Sequence, residues 1–600
     1  MSNTYVSTRN LKFLLHEVLQ AEQLNRFPYF GDYDQEAIDM AIEAALQIGD
    51  THLYPIYRDM DKNKAYFKDG EVHVHPGLRT AIKAIADGGW ITAPYDYDSG
   101  GQQMPYTIMN AGLLIFYAAN ANAACHAFLT QGAARLIRNF ASEELKERYL
   151  PGMYSGDWQG TMAMTEPQAG SSLTDLSSSA EPTEEGYYRI QGQKIYISGG
   201  DHTGVDNVVH LLLARIKGAP QGTKGISLFV VPKLRHENGQ LVSNDVTTAG
   251  IYGKMGQKGY VAAHIMLGEK GDCRGYLVGE PHHGLSYMFQ MMNEARVATG
   301  LVATGTASAA YYAALKYANE RVQGRHPSQK DPSLPQTLII EHADVRRMLL
   351  FQKAVTEGSA ALLFQCSYYG DVSTVAEGEE KEQAHLLFEL LTPIAKSYPA
   401  EMGIQAVSAG MQCLGGAGYC DDFPLEQHYR DIRVNAIYEG TTGIHGMDLL
   451  GRKVMMANGK AMALFMTEIK NVINEASELD GLQPYAQQMG EAAADLHVLT
   501  MHLLQLAMKD RPEVFLADAT LYLESFGTVT IAWMWLKQAL AAEKALLAGD
   551  LPADEHNFYS GKIAAFQYFF EYELPKTQAL NERLRSENRI TLDMDSAWLV

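Results

Sequence analysis

The period of the apolar residues changes twice along this chain, and that limits its fold more than any single motif. Up to about residue 160 the apolar positions recur at helical spacing, as at Phe13, Leu14, Val18 and Leu19 and again from Ala37 to Leu46. Two apolar helices are expected through Leu113–Phe116 and from Phe128 to Phe140, and Ser142 caps a short helix carrying Glu143 and Glu144. Between residues 160 and 285 the period falls to about two and turn residues recur. Tyr188–Gln191, Lys194–Ser198, Val208–Leu213, Ile226–Val231 and His264–Leu267 read as strands. Helical spacing then returns in long runs, Arg296 to Arg321, Ile339 to Tyr369 and Glu382 to Cys413. It continues past residue 456, through Ala461–Ile469, Leu496–Ala507 and Phe526–Leu547. The chain is therefore expected to be α+β and mainly α. A helical domain covers residues 1–160, a β barrel or sandwich 161–284, a four-helix bundle 285–455 and a further helical domain 456–600.

Composition excludes some partners. A net charge of −21 makes a poor surface for nucleic acid or anionic lipid. The five cysteines, Cys125, Cys273, Cys366, Cys413 and Cys420, are odd in number and show no CxxC spacing, which reads as free thiols in a reducing compartment. No secretory start is visible, and no run reaches the roughly 18 apolar residues of a membrane span. A cytoplasmic protein without membrane insertion is expected.

Four stretches carry chemistry. Ile437-Tyr438-Glu439-Gly440-Thr441-Thr442-Gly443-Ile444 sets a carboxylate on a tight turn. Thr441 or Thr442 can cap the helix that follows, whose apolar positions are Ile444, Met447, Leu450 and Val454. Tyr438 offers apolar cover, and a carboxylate kept from water rises toward the range useful to a general base. Met162 to Ser172, Met-Ala-Met-Thr-Glu-Pro-Gln-Ala-Gly-Ser-Ser, combines hydroxyls and small residues in a loop able to wrap a polar ring or a phosphate. It is neither a Walker loop nor a dinucleotide fingerprint. Tyr196 and Ser198 stand two apart on a strand and so share a face. Gln412 precedes Gly415-Gly416, which stop a long helix about 20 residues before Glu439, and Arg430-Asp431 lies between them. His73, His75, His282 and His283 have no acidic or cysteine partners at metal spacing, so no metal is assigned.

In order and spacing these stretches resemble the acyl-CoA dehydrogenase family over roughly residues 35–455. The long ends are similar to its larger branch, of roughly 600 residues, which includes 3-methylmercaptopropionyl-CoA dehydrogenases and enzymes for longer fatty acyl chains. The resemblance implies FAD, an acyl-CoA substrate, α,β-dehydrogenation with Glu439 as base, and an electron-transfer flavoprotein as acceptor. It implies that Met162, Met164, Thr165, Gly170 and Ser171 form the first flavin loop. Tyr196 covers the ring and Ser198 bonds near flavin N5. Arg321, Gln412, Gly415 and Gly416 would reach the FAD of a neighbouring subunit, and Thr441 also contacts cofactor. Arg296, Tyr438 and Gly440 border substrate, with the thioester oxygen bonded to the Glu439 backbone N–H. Two departures stand out. The Arg321 motif lacks its usual Phe. At the position where some relatives carry the base stands Ala295, with Glu294 one residue off, which favours Glu439. An acyl-CoA oxidase and a DNA-associated flavoprotein of the same fold are the competing expectations. The extra apolar stripes at Leu496, Leu499, Leu503, Leu504, Trp533, Trp535 and Leu536 should replace a tetramer contact and leave a homodimer.

Overall fold

A computed structural model describes residues 4–329, 331–586 and 588–600, and the side chains of residues 290 and 291 lie outside that description. The chain gathers into two compact units. One is Met1–Met40 with Pro105–Leu114 and Arg296–Val600, and the other is Ala41–Met104 with Ile115–Ala295.

In the second unit the short apolar period becomes a sheet of eight strands: β1 (Trp158–Ala163), β2 (Ser179–Pro182), β3 (Tyr188–Ser198), β4 (Asn207–Ile216), β5 (Ile226–Pro232), β6 (Val246–Ile251), β7 (Ala262–Leu267) and β8 (Arg274–Leu277). They pair in the order β6-β7-β3-β8-β5-β4-β1, with β2 against β3 and β4. β4 and β5 are apolar almost throughout because both their faces are covered. Val209, Leu211 and Leu213 join a core with Ala133, Ile137, Tyr149 and Met153. Leu212 and Ala214 join another with Ile197, Ala263 and Ile265. The two strands expected at Tyr188–Gln191 and Lys194–Ser198 are one, with a bulge where its pairing to β7 shifts register between Ala263 and Ile265. The bulge reverses the alternation: Ile190 and Lys194 are buried before it, and Ile197 after it.

The helix Tyr106–Phe140 corrects one expectation. It is long and apolar enough to cross a membrane by length and composition, but 89% of its apolar window is buried inside the protein. It is the two expected helices joined, and the join has a cause. Asn120 leaves helical geometry at φ −166°, and its buried amide donates to Leu53 O at 3.1 Å while accepting from Ala123 N at 3.2 Å.

In the first unit the expected long runs are the helices Gly284–Glu320 (the unit beginning within it at Arg296), Ala343–Val375 and Gly378–Leu414. Gly300 permits close approach of the first to the third, since a Cβ there would lie 2.1 Å from Ala395 O. Ala307, Ala314, Leu349, Val407, Leu425 and Ile432 share their core. Beyond residue 456 the helix Ala519–Ala548 is largely apolar between Tyr522 and Leu540, where neighbours surround it; Trp533, Trp535 and Leu536 are fully buried. The Trp535 indole N–H donates to Ala354 O at 2.9 Å. Gly446 lets this helix approach, since a Cβ there would meet Ala519 O at 2.7 Å.

Candidate active site

The Glu439 turn is strained. Glu439 has φ +54° and Gly440 φ +88°, both left-handed. For a non-glycine residue that costs of the order of 1–3 kcal/mol, so surrounding contacts must hold it. Two buried side chains do so. Lys396 Nζ donates to Gly440 O at 2.7 Å, and His445 Nε2 donates to Glu439 O at 3.1 Å. Gly440 must be glycine on space as well, because a Cβ would come within 2.9 Å of His445 Nε2. The helix Thr442–Gly451 then begins. Thr441 stands at its N-cap, but its exposed side chain makes no capping bond, and the Thr442 hydroxyl turns to Glu401 instead. Of the expected apolar positions, Leu450 is buried, Met447 is 41% exposed, and Val454 is buried in a 3-10 turn beyond the helix end. Tyr438 donates its hydroxyl to Asn435 Oδ1 at 2.7 Å.

Glu439 is solvent-exposed, and protein packs close about its carboxyl. That crowding raises its carboxyl above the ordinary value, with Lys396 and then Arg296 opposing the rise. Arg296 is buried and donates to Asp448 Oδ2 at 2.7 Å, so its charge is partly met within the helix that follows the turn. Burial holds the Lys396 ammonium down at about 8, against the raising influence of Glu439 and Glu401. Burial, then Arg296 and Lys396, hold His445 at about 3, so it is neutral at physiological pH.

In the second unit Met162 lies on β1, and Met164 and Thr165 lead into the loop. Gly170 and Ser171 are exposed, and a Cβ on Gly170 would meet no atom within 4 Å, so a ligand has room there. Glu166 anchors the loop. It is fully buried and accepts from Lys194 Nζ at 2.8 Å, Ser177 N at 2.7 Å and Ser178 N at 3.1 Å. Burial alone would raise Glu166, but Lys194 and these donors hold it at about 2. Lys194 Nζ also donates to Met164 O at 3.0 Å, and Ile195 N to Thr165 O at 3.0 Å. The loop is thereby tied to β3, the strand bearing Tyr196 and Ser198. Tyr196 falls within the bulge and is exposed, and Ser198 pairs with Ala262 just beyond it and is half-buried. Tyr196 has φ +57°, is 58% exposed and lies against Tyr252 with ring centroids 4.2 Å apart.

Arg321, Gln412, Gly415 and Gly416 are exposed, on segments that pack on the core of Ala314, Ala318, Ile339 and Leu414. The Gly378–Leu414 helix ends at Gly415 with φ +59°, as the glycine pair predicts. Glu294 is engaged in an ion pair with Arg135.

Profiles of one family match nearly end to end. They are described as acyl-CoA dehydrogenase N-terminal domain over residues 35–157, middle domain over 161–268, C-terminal domain over 282–455, and acetyl-CoA dehydrogenase C-terminal like over 465–595. The chain is 34% identical over 578 residues to 3-methylmercaptopropionyl-CoA dehydrogenase of Ruegeria pomeroyi, covering 96% of this chain and 97% of that one. The chain belongs to the acyl-CoA dehydrogenase family. It is an oxidoreductase of that class. It is also 31% identical over 614 residues to the broad-specificity linear acyl-CoA dehydrogenase FadE5 of Mycobacterium tuberculosis, covering 100% of both chains. A structure of Caenorhabditis elegans ACDH-11 in complex with C11-CoA shares the fold at a TM-score of 0.74 and 18% identity, covering 98% of this chain and 96% of that one.

For this acyl-CoA dehydrogenase, sequence reasoning missed Lys396, His445, Asp448 and the Glu166–Lys194 pair. Lys396 carried a signal: it is a lone cation directly after the largely apolar run Leu391-Thr392-Pro393-Ile394-Ala395. His445, one turn into its helix, carried none.

Proposed function

We propose that the enzyme converts an acyl-CoA thioester to the trans-2-enoyl-CoA, with Glu439 removing the α proton. The observation that carries this is a crowded carboxyl, raised above its ordinary value, on a strained turn that buried donors hold in place. A raised value brings the carboxylate closer to the strength an α C–H demands. The Glu439 backbone N–H would bond the thioester oxygen and stabilise the enolate-like charge. Arg296, Tyr438 and Gly440 would border the substrate.

The cofactor is FAD, and the loop residues fit it: the space at Gly170, the exposed hydroxyl of Ser171 and the outward ring of Tyr196 leave room for a flat, phosphate-bearing group, and Gly415-Gly416 have open space of their own. When bound it supplies a hydride acceptor for the β carbon. Met162, Met164, Thr165, Gly170 and Ser171 would line it, Tyr196 would cover the ring and Ser198 would bond near N5. Arg321 would reach the FAD of a neighbouring subunit, Gln412, Gly415 and Gly416 would hold its ADP half from across that interface, and Thr441 would contact the cofactor. We assign the electrons to an electron-transfer flavoprotein and the protein to the cytoplasm. The divisions near residues 160, 284 and 455 are kept as our proposed domain boundaries.

Glu439→Gln tests the reading. The variant should purify yellow and bind acyl-CoA but lose at least about 10²-fold in turnover with an artificial electron acceptor. An active Glu439→Gln beside an inactive Glu294→Gln would transfer the role to Glu294. Peroxide released under air at the rate of turnover would make the enzyme an oxidase.

A further inference from the structure

Lys396 is a buried ammonium without an ion-pair partner. Among the described residues no carboxylate lies within ion-pair distance of its Nζ, and its hydrogen bond goes to the carbonyl of Gly440. An unpaired buried cation is expensive to keep, so a fold that retains one needs a reason beyond packing. His445 presents the same problem in milder form. Its Nε2 must carry the proton, since the Glu439 carbonyl only accepts. That leaves Nδ1 buried with no partner among the described residues.

We propose that Lys396 and His445 are positioning residues for the proton-abstracting carboxylate. By donating to the carbonyls of Gly440 and Glu439 they hold two successive peptide planes, and so fix the left-handed turn that aims the Glu439 side chain and its backbone N–H. The two donors come from different elements. Lys396 reaches in from the Gly378–Leu414 helix, and His445 reaches back from the first turns of the helix that the turn begins. Gly440, which His445 crowds, completes the clamp.

The inference rests on Glu439 being the base, and Lys396 adds to it an electrostatic role. The charged groups acting on Glu439 are Lys396 and Arg296. Asp448 meets Arg296, Glu401 acts on Lys396, and His445 is neutral. Removing the Lys396 charge leaves the crowding of the carboxyl less opposed. The Glu439 carboxyl then rises, and the ionised base is lost at a higher pH as the solution is acidified.

The test is the pH profile of kcat/KM on the FAD-loaded full chain. Lys396→Met should move the acid limb up by about one pH unit and lower kcat about 10- to 100-fold, with KM changed far less. Lys396→Arg, which keeps charge and donors, should leave the acid limb in place. His445→Gln, which keeps a donor, should retain most of the kcat that His445→Leu loses. Lys396→Met with full FAD content, an unmoved acid limb and wild-type kcat would overturn the inference while Glu439→Gln stays inactive; an active Glu439→Gln sinks the underlying reading instead. Should Lys396→Met not hold FAD, the acid limb is read on Lys396→Gln, which removes the charge, and kcat on His445→Leu, which removes the donor; an unmoved limb in the first or an unchanged kcat in the second is equally decisive.

Discussion

Glu439 and Tyr196 depart from ordinary backbone geometry in the same way. Both are non-glycine residues at positive φ, and each sits where the family resemblance implies contact with a reacting group. Such strain persists only when neighbours enforce it. For Tyr196 the enforcement comes through the buried Glu166–Lys194 pair, which ties the loop and the strand together just before the bulge. Lys194→Met should leave Glu166 buried without its cation and cost about 3 kcal/mol. It should also lower the FAD retained through gel filtration, because the loop loses its tie to the strand. The double variant with Glu166→Gln should recover part of the melting temperature. If FAD content and melting temperature are both untouched in the single variant, Lys194 does not anchor the loop.

Elements far apart in sequence are joined by charge as well as by packing. Lys562, on the helix Ala553–Tyr568, is fully buried and donates to Glu357 Oε2 at 2.8 Å and Gln538 Oε1 at 3.0 Å, and it also bonds Asn10. Arg9 donates through Nε to Glu555 at 3.0 Å and through Nη1 to Glu17 at 2.8 Å. The opening residues and the C-terminal helices are thus parts of one packed layer. Lys562→Met should cost about 3 kcal/mol, because Glu357 keeps Lys353 at 2.5 Å but loses its second cation. Lys544→Met, at an exposed pair with Glu475, should stay within about 0.5 kcal/mol. Equal melting temperatures for the two variants would show that the buried node holds nothing together.

For the whole molecule the question is where the added apolar surface goes. Leu496, Leu499, Leu503, Trp533, Trp535 and Leu536 are buried within the subunit, and Leu504 is partly buried. Leu504 apart, none of them is left to build a large contact with another copy. We therefore expect a homodimer, in which Arg321 and Gln412, both exposed, reach the partner's FAD. Light scattering coupled to gel filtration should give a mass near twice 66.3 kDa. A tetramer would refute the packing argument, and a flavin-loaded monomer would remove the cross-subunit role of Arg321.

The sequence alone determined the helical, β, helical order, most of the long helices and the Glu439 turn. Each of these is a local pattern, of period or of turn chemistry, that the chain spells in consecutive residues. The strands β1, β2, β6 and β8 escaped notice because they are short or lie beside loop-like composition. Other features were decided only by tertiary structure. Asn120 breaks a helix because Leu53 takes its amide. The face that Tyr196 shows depends on a bulge against β7. The support of Glu439 comes from Lys396, 43 residues upstream on another helix. A buried ammonium and a carbonyl find each other by packing, and no period or spacing in the sequence records that meeting.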